Sequence, residues 1–545
     1  MNRTTLSLIA GTVALAAITG FASLSEPDAS GTDTAEAAAV LPVERSGLLC
    51  PAPSASDLAE TTYTSFTPVT KGAGSDGSAQ LQAAPRESTD TAATEDDEKT
   101  SEDGKTTDTP DAEGSDTDKA DTDKADTDKA DTDKADTDKA DDDKKTAAKP
   151  VLAPKAPGTP VTGETSGADG PALVGTAEGG FAPGWTVQQT TQVTAGNGRG
   201  LLGVTCTAPD TEFWFPGVST AADRTDYVHL TNPDDSAAVA DIELYGKDGA
   251  VATTVGEGLT IPAHSTEPIL LSTLTGEKQD DLTVHVNVRS GRVGAAVQAL
   301  DDKLGGDWLA ASTDPAGTLV VPGIPKDATA VRLVVFAPGD TDADLKVQLA
   351  APTGLITPAG QETLHVKGGM TTAVDLGDVT RGEAGSLVLT PTDGSAPVVA
   401  AVRVVRGKGD KQESAFIPAT AQVGARASVA GNGAKDTTLS LTAPTGTAKV
   451  KVTASAGTGG GTAASQTYTI KQGTTQDVRL PVPAGLKGTY ALTVENLTAG
   501  TPVYASRTLT ATDGGIPGFT VQTLPDDRGT VAVPEADEDL RVLQK

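Results

Sequence analysis

Two cysteines, Cys50 and Cys206, are the residues of this sequence whose chemistry is simplest to specify. They stand in similar contexts, Leu-Leu-Cys-Pro-Ala-Pro and Val-Thr-Cys-Thr-Ala-Pro, and each ends a predicted strand. If the chain is exported, its two cysteines are expected to form a disulfide. The sequence therefore predicts a disulfide that closes a loop of roughly 155 residues, for which chain entropy gives on the order of 5 kcal/mol. The alternative is a pair of buried free thiols.

Aromatic residues are scarce, which draws attention to the Glu-Phe-Trp-Phe segment that contains Trp214. An indole ring can pack in a core, or it can stand on a surface and stack on a sugar ring. Core packing, including packing on the disulfide, is favoured for Trp214. The other interpretation makes Trp214 and Trp308 candidate glycan-stacking residues.

No constellation of residues predicts catalysis or metal binding. The four histidines share no metal-ligand spacing with a nearby cysteine or carboxylate. Acidic turns such as 340–344 could bind calcium between domains, although such turns are common without a metal. A Gly-x-Ser-x-Gly elbow does not occur, and no pair of carboxylates stands out as a glycosidase pair. We therefore expect no catalytic, cofactor-binding or metal site.

Alternating apolar and polar residues indicate the elements that carry these side chains. In residues 226–249, Ala238, Ala240, Ile242 and Leu244 form one apolar face, and Asn232-Pro-Asp-Asp breaks the preceding run. A period of two predicts strands with one buried face, and proline with Asn and Asp predicts the turn. The chain is therefore expected to be all-β.

A period of about 105 residues predicts tandem domains. Val293-Gly-Ala-Ala-Val, Val398-Val-Ala-Ala-Val and Val503-Tyr-Ala-Ser are spaced by about 105 residues, and two further anchors keep nearly the same step. This is the size of an immunoglobulin-like β-sandwich. The sequence predicts three such repeats.

The first 150 residues differ from the rest. Leu6 to Leu24 is uncharged and mostly apolar, which indicates either a cleaved signal peptide or a retained membrane anchor. Further along, Asp-Thr-Asp-Lys-Ala repeats from Asp116 to Ala140. Such polar low-complexity sequence is expected to stay disordered. If the two cysteines are bridged, this acidic tract is an insertion within an N-terminal β region.

The predicted organisation follows from these patterns. The segments are 1–39, a signal peptide or anchor; 40–71, an N-terminal β segment; 72–170, a disordered acidic insertion; 171–315, the first sandwich, completed by 40–71; 316–418, the second; 419–525, the third; and 526–545, an acidic tail. The alternative is that the N-terminal region forms a small domain of its own.

Several motifs resemble an uncharacterised family of exported proteins from high-GC Gram-positive bacteria, defined as a domain of unknown function. The matching features are the apolar N-terminus, Cys50-Pro-Ala-Pro, and Cys206 followed by Thr211-Glu-Phe-Trp-Phe-Pro and Leu230-Thr-Asn-Pro-Asp. The resemblance implies an envelope location. It carries no activity and no site residues.

The net charge and the absence of catalytic motifs limit the functions that the sequence allows. A net charge of −32 argues against nucleic acid as a partner. We expect a non-enzymatic, extracytoplasmic envelope protein, anchored in the membrane by its N-terminal segment or secreted, that binds an envelope protein or polysaccharide. The alternatives are a glycan-binding module of the cell wall or capsule, and an enzyme with an unrecognised site.

Overall fold

The computed structural model describes residues 39–84, 150–392, 394–513 and 516–533. Antiparallel sheets dominate this part of the chain, as the period-two patterns predict. Its helical content consists of a 3-10 turn at Gly179–Phe181 and the short helix α1, Leu271–Leu274. The described residues form four pairs of sheets, numbered I to IV along the chain. The acidic tract and the Leu6–Leu24 segment lie outside the described residues.

Sheet pair I is built from strands on both sides of the acidic tract. Its first sheet contains β2 (Arg45–Cys50), β6 (Leu173–Glu178) and β4 (Ala79–Ala83). Its second sheet contains β5 (Val161–Ser166), β3 (Ala59–Phe66), β7 (Thr186–Val193) and β8 (Gly200–Thr205).

Sheet pair II follows without a long connection. One sheet contains β12 (Gly249–Val251), β11 (Ala238–Gly246), β15 (Leu282–Ser290) and β9 (Glu212–Val218), with β13 (Leu259–Ile261) also paired to β11. The other contains β14 (Thr266–Leu270), β10 (Arg224–Thr231), β16 (Gly294–Asp301) and β17 (Gly305–Leu309).

The second sheet of pair III has the same strand order as the second sheet of pair II. The first sheet contains β18 (Leu319–Ile324), β24 (Gly385–Pro391), β20 (Ala343–Ala351), β21 (Gly354–Ile356) and β22 (Thr363–Val366). The second contains β23 (Thr371–Gly377), β19 (Ala328–Phe336), β25 (Val399–Lys408) and β26 (Lys411–Pro418).

Sheet pair IV completes the series. The first sheet contains β27 (Arg426–Asn432), β34 (Tyr490–Asn496), β29 (Ala448–Gly457), β30 (Gly460–Thr462), β33 (Ala484–Lys487) and β31 (Ala464–Ile470). The second contains β32 (Thr474–Val478), β28 (Thr437–Ala443), β35 (Tyr504–Asp513) and β36 (Ile516–Thr523). Finally, β1 (Ala39–Pro42) pairs with β37 (Thr530–Val533), so the two ends of the described chain meet.

Each sheet pair has its own apolar core, because the alternating residues of both sheets point inward. In pair II, for example, Ile242 of β11 and Val228 of β10 belong to one buried cluster. That sheet pairs II, III and IV are three copies of one immunoglobulin-like domain stays a prediction.

The N-terminal boundaries differ from those predicted. Strands β4 and β5 lie inside the 72–170 range that was expected to be disordered. Residues 171–206 pair with 45–83 to form sheet pair I, whereas pair II begins at Glu212 and is complete without them. Residues 40–71 therefore do not complete the first predicted sandwich. The alternative of a separate N-terminal domain describes the structure better.

Smaller apolar clusters join the sheet pairs in a closed cycle. Each cluster combines residues of two neighbouring pairs: Leu202 and Val204 with Trp308 between I and II, Trp214 with Phe336 between II and III, Val320 with Tyr504 between III and IV, and Ala430 with Phe66 between IV and I. Pair IV therefore contacts both III and I. Burial of apolar area between all neighbours favours one rigid body over a flexible chain of domains.

Candidate ligand-binding cleft

A cleft of about 650 Å³ opens between sheet pairs II and III. Strands β10 and β16 of pair II form one wall, with Arg224 and Asp301. Strands β19 and β25 of pair III form the other wall, with Arg332 and Arg403. Both walls thus place a guanidinium group at the cleft.

Arg224 is held at the base of the cleft by a buried carboxylate. Its Nε donates to Asp226 Oδ1 at 3.0 Å and its Nη2 donates to Asp226 Oδ2 at 2.7 Å. Residues two apart in a strand lie on the same face, which is why β10 can supply both partners. The guanidinium carbon also lies 5.4 Å from the centre of the Phe416 ring, within the range of a cation–π contact. The Arg224 side chain is only 4% exposed.

The other two arginines are also paired with carboxylates. Arg403 Nη2 donates to Asp301 Oδ2 at 2.8 Å, across the boundary between the two sheet pairs. Arg332 of β19 donates through Nε and Nη2 to Asp281 Oδ2, at 2.9 and 2.6 Å. Since Asp281 belongs to the loop before β15, this contact also joins pairs II and III. The ion pairs fix the width of the cleft.

Burial dominates the electrostatics at the base. Burial, followed by the nearby positive charge of Arg224, lowers the pKa of Arg403, while Asp301 and Asp226 oppose the shift. Burial likewise raises the pKa of Asp226, and the charge and hydrogen bonds of Arg224 oppose it. The two guanidinium groups therefore repel each other in a poorly hydrated place.

The rim of the cleft is exposed and mainly acidic. Asp223, Asp280 and Asp410 line it and are exposed. Asp410 lies in the turn between β25 and β26, and Asp223 lies just before β10. Lys303, in the turn between β16 and β17, is the exposed cation among the lining residues. Exposed carboxylates thus line the entrance, whereas each arginine below it is paired with a carboxylate.

Comparison with models of known protein families shows the family of the chain. Residues 161–481, more than half of the chain, match the family of unknown function DUF5719. The chain belongs to this family. All the residues that line the cleft lie within the matched range. A search of curated proteins gives no match.

Next to the cleft of this DUF5719 protein, four strands from the four sheet pairs meet: β8, β17, β26 and β36. The carboxyl of Asp307 in β17 lies at this central junction and is buried. It accepts the N–H of Gly203 at 3.1 Å and that of Phe416 at 3.2 Å, and it is 3.0 Å from Thr520 Oγ1. One side chain of pair II therefore contacts the backbone or side chains of pairs I, III and IV.

Glycine is required where β8 passes β36. A Cβ atom added at Gly203 would lie 2.5 Å from Thr520 Cγ2. Because Asp307 contacts both strands, a larger residue at 203 would push them apart and disturb the whole junction.

Glu413 of β26 lies at the same junction, and its Oε1 accepts the N–H of Leu201 at 3.0 Å. Burial raises the pKa of Glu413 to about 7 from 4.5. Between about pH 4.5 and pH 7, the Glu413 carboxyl therefore stays protonated in the folded protein and is ionised in the unfolded chain. The resulting stabilisation is complete below about pH 4.5 and is lost as the pH rises through about 7, by at most roughly 3 kcal/mol.

We accordingly predict that Glu413→Gln removes part of the pH dependence of stability. Glutamine keeps an acceptor for Leu201 and cannot ionise, so the variant should exceed the wild type by about 1–3 kcal/mol at pH 8 and not at pH 5. Thermal unfolding of both proteins at the two pH values measures this. Equal losses between pH 5 and pH 8 for the two proteins would contradict the prediction, since all other titrating groups are shared.

The predicted disulfide is present. Cys50 and Cys206 are bonded, with a Cα–Cα distance of 4.5 Å. They belong to the core of sheet pair I, where Trp185 rather than Trp214 is the tryptophan in their cluster. The alternative of two free thiols is wrong.

Neither candidate tryptophan offers a face to a sugar. Trp214 is 5% exposed and stacks on His285, with ring centres 3.7 Å apart, and on Phe336 of pair III. Trp308 is 2% exposed and meets His229 edge-on between pairs I and II. Both rings lie on outer faces of sheets that the neighbouring pairs cover. The glycan-stacking interpretation of these two residues therefore has no support in the structure.

The described residues also contain no cluster of His, Cys, Asp or Glu able to hold a metal ion. Within the same residues, no helix has the length and apolar character needed to cross a membrane. The carboxylates of the acidic turn at 340–344 instead contact nearby groups of the protein. In it, His365 Nδ1 lies 2.8 Å from Asp344 Oδ1, and Asp342 Oδ1 accepts the N–H of Gly368 at 2.9 Å.

Proposed function

We propose that this DUF5719 protein is a non-enzymatic binding scaffold of the cell envelope that presents the cleft to a polar ligand. The observation that carries the proposal is the closed cycle of sheet pairs, which holds the two walls of the cleft in a fixed relation. A preorganised site avoids part of the entropic cost of binding. A cleft of about 650 Å³ is within the size range of small-molecule sites.

The chemistry of the cleft favours binding over catalysis. A general acid or base must exchange a proton with its substrate, and it must be free to reach it. The carboxylates of Asp226, Asp301 and Asp281 are instead each engaged by an arginine of the cleft. Such charge-assisted pairs orient the guanidinium groups, which suits recognition.

Two features support a location outside the cytoplasm. The Cys50–Cys206 bond buries both sulfurs in a core, and structural disulfides persist in oxidising compartments. The apolar Leu6–Leu24 segment predicts export or anchoring. The negative net charge argues against nucleic acid as a partner, because the phosphate backbone is also negative.

The second candidate function is that of a glycan-binding module. The alternation of guanidinium and carboxylate groups in the cleft favours it, because these groups hydrogen-bond the hydroxyls of a sugar. In this form the cleft, and not Trp214 or Trp308, would contact the glycan.

Co-sedimentation of the purified full chain with isolated cell-envelope material tests the proposal. We expect saturable binding that falls about tenfold in the double variant Asp223→Asn/Asp410→Asn, which alters only exposed rim residues. The matched control is Asp57→Asn/Asp248→Asn, which makes the same charge change at exposed positions that do not line the cleft. Absence of binding would overturn the scaffold function. Release of soluble fragments from the envelope material would instead identify an enzyme.

A further inference from the structure

The base of the cleft contains positive groups with unused hydrogen-bonding capacity. The described hydrogen bonds of Arg224 to Asp226 use Nε and Nη2, and that of Arg403 to Asp301 uses Nη2. Each guanidinium carries five N–H donors in a planar fork, so donors remain on both groups. An anion placed between the two would accept these donors and add to the partial compensation that Asp226 and Asp301 already give to the repulsion between Arg224 and Arg403. The base therefore suits one carboxylate.

The entrance disfavours a ligand that is only anionic, because three exposed carboxylates face one exposed cation, Lys303. Asp223, Asp280 and Asp410 surround it, and the chain as a whole carries a net charge of −32. Exposed like charges weaken the approach of an anion and favour that of a cation. A ligand that enters this cleft should therefore carry a positive group that stays near the rim.

The two halves of the cleft thus fit opposite ends of one molecule. We propose that the cleft binds a small zwitterionic ligand, an amino acid or short peptide with free ends, whose carboxylate lies against Arg224 and Arg403 and whose ammonium lies at the rim formed by Asp223, Asp280 and Asp410. A volume of about 650 Å³ holds a ligand of this size. The inference rests on the proposed function, because it specifies the ligand class of the same cleft.

The contribution of each end can be measured with three dipeptide probes that differ in their end groups. Isothermal titration of the full chain with Ala-Ala, N-acetyl-Ala-Ala and Ala-Ala-amide compares the zwitterion with forms that lack the ammonium or the carboxylate. We expect Ala-Ala to bind best and each blocked form to bind at least about tenfold more weakly, since one good charge-assisted contact corresponds to about this factor.

Variants assign each end of the ligand to its residues. Arg403→Lys keeps a cation beside Asp301 but loses the guanidinium fork. It should weaken Ala-Ala and N-acetyl-Ala-Ala, and it should leave Ala-Ala-amide unchanged. Asp223→Asn/Asp410→Asn should weaken Ala-Ala and Ala-Ala-amide, and it should strengthen N-acetyl-Ala-Ala, because it removes two like charges from the path of that anion. Asp57→Asn/Asp248→Asn should bind all three probes like the wild type.

The possible results separate this inference from the proposed function. Equal binding of the three probes, no binding of Ala-Ala, or binding that no cleft variant changes would overturn the zwitterion site. If a neutral disaccharide bound instead and the rim variant abolished that binding, the scaffold would stand with a glycan as its ligand. If Ala-Ala bound as expected but the full chain did not co-sediment with envelope material, the ligand site would stand and the envelope function would fall.

Discussion

Asp307→Ala is expected to lower the free energy of unfolding by about 3–5 kcal/mol, because it leaves two buried backbone donors unsatisfied, at about 1–3 kcal/mol each, and opens a cavity. The carboxyl accepts the N–H groups of Gly203 and Phe416 and contacts the Thr520 hydroxyl. Alanine leaves these groups of sheet pairs I, III and IV without their partner in a buried place. It also leaves a cavity where the four strands meet.

Asp307→Asn should cost less, about 1–3 kcal/mol. Burial raises the pKa of Asp307 well above its ordinary value, against the hydrogen bonds that it accepts. A protonated carboxyl can donate to Thr520 Oγ1, which in turn lies 3.4 Å from the carbonyl oxygen of Gly203. Asparagine resembles this neutral form, but its amide must meet one of the two backbone donors.

Chemical denaturation of Asp307→Ala, Asp307→Asn and the exposed control Asp302→Ala in parallel checks the order of stability. The control removes a carboxylate from the adjacent turn, where no buried donor depends on it. Equal unfolding midpoints for Asp307→Ala and Asp302→Ala would show that the junction does not hold the four sheet pairs together.

Alternation was sufficient to predict strands β10 and β11 of pair II. Ala238, Ala240, Ile242 and Leu244 are all buried in one core, as their period of two requires. Their spacing reports burial directly, because neighbouring side chains in a strand point to opposite faces. The all-β architecture could therefore be read from the sequence.

Sheet pair I was harder to recognise for two physical reasons. Its central strand β3, Ala59–Phe66, reads Ala-Glu-Thr-Thr-Tyr-Thr-Ser-Phe, so hydroxyl groups replace the aliphatic residues that mark the other strands. The acidic sequence between β4 and β5 also breaks the 105-residue spacing. The cysteines gave the one signal that both sides of this sequence belong together.

The cleft could not be predicted from spacing. Arg224 and Arg403 are distant in the chain and meet only because pairs II and III pack together. Asp307, in Gly-Gly-Asp-Trp-Leu, needs a polar partner because its strand is fully buried, and that burial is visible only in the structure. The sequence alone allowed Trp308 in the same strand to be either exposed or packed in a core. It is buried because sheet pairs I and II contact each other there.

Removal of the disulfide by Cys50→Ala/Cys206→Ala is expected to cost about 2–5 kcal/mol. The bond joins the end of β2 in the first sheet of pair I to the residue that follows β8 in the second sheet. The cross-linked residues are 156 apart in sequence. A long loop loses much entropy in the unfolded state when it is closed, and this penalty disappears in the variant.

The loss should concentrate in sheet pair I and spread through its two neighbours. Val204 of β8 packs with Trp308 of pair II, and Phe66 of β3 packs with Ala430 of pair IV, so loosening pair I weakens two links of the cycle. Limited proteolysis with and without a reductant locates the effect. Cleavage of the wild type should rise in reductant and first appear within 39–84 and 150–206, whereas the cysteine-free variant should be cleaved there under both conditions. Uniform cleavage across all four sheet pairs would mean that the disulfide stabilises the closed cycle as a single cooperative unit, and an unchanged pattern would mean that the interfaces alone hold pair I in place.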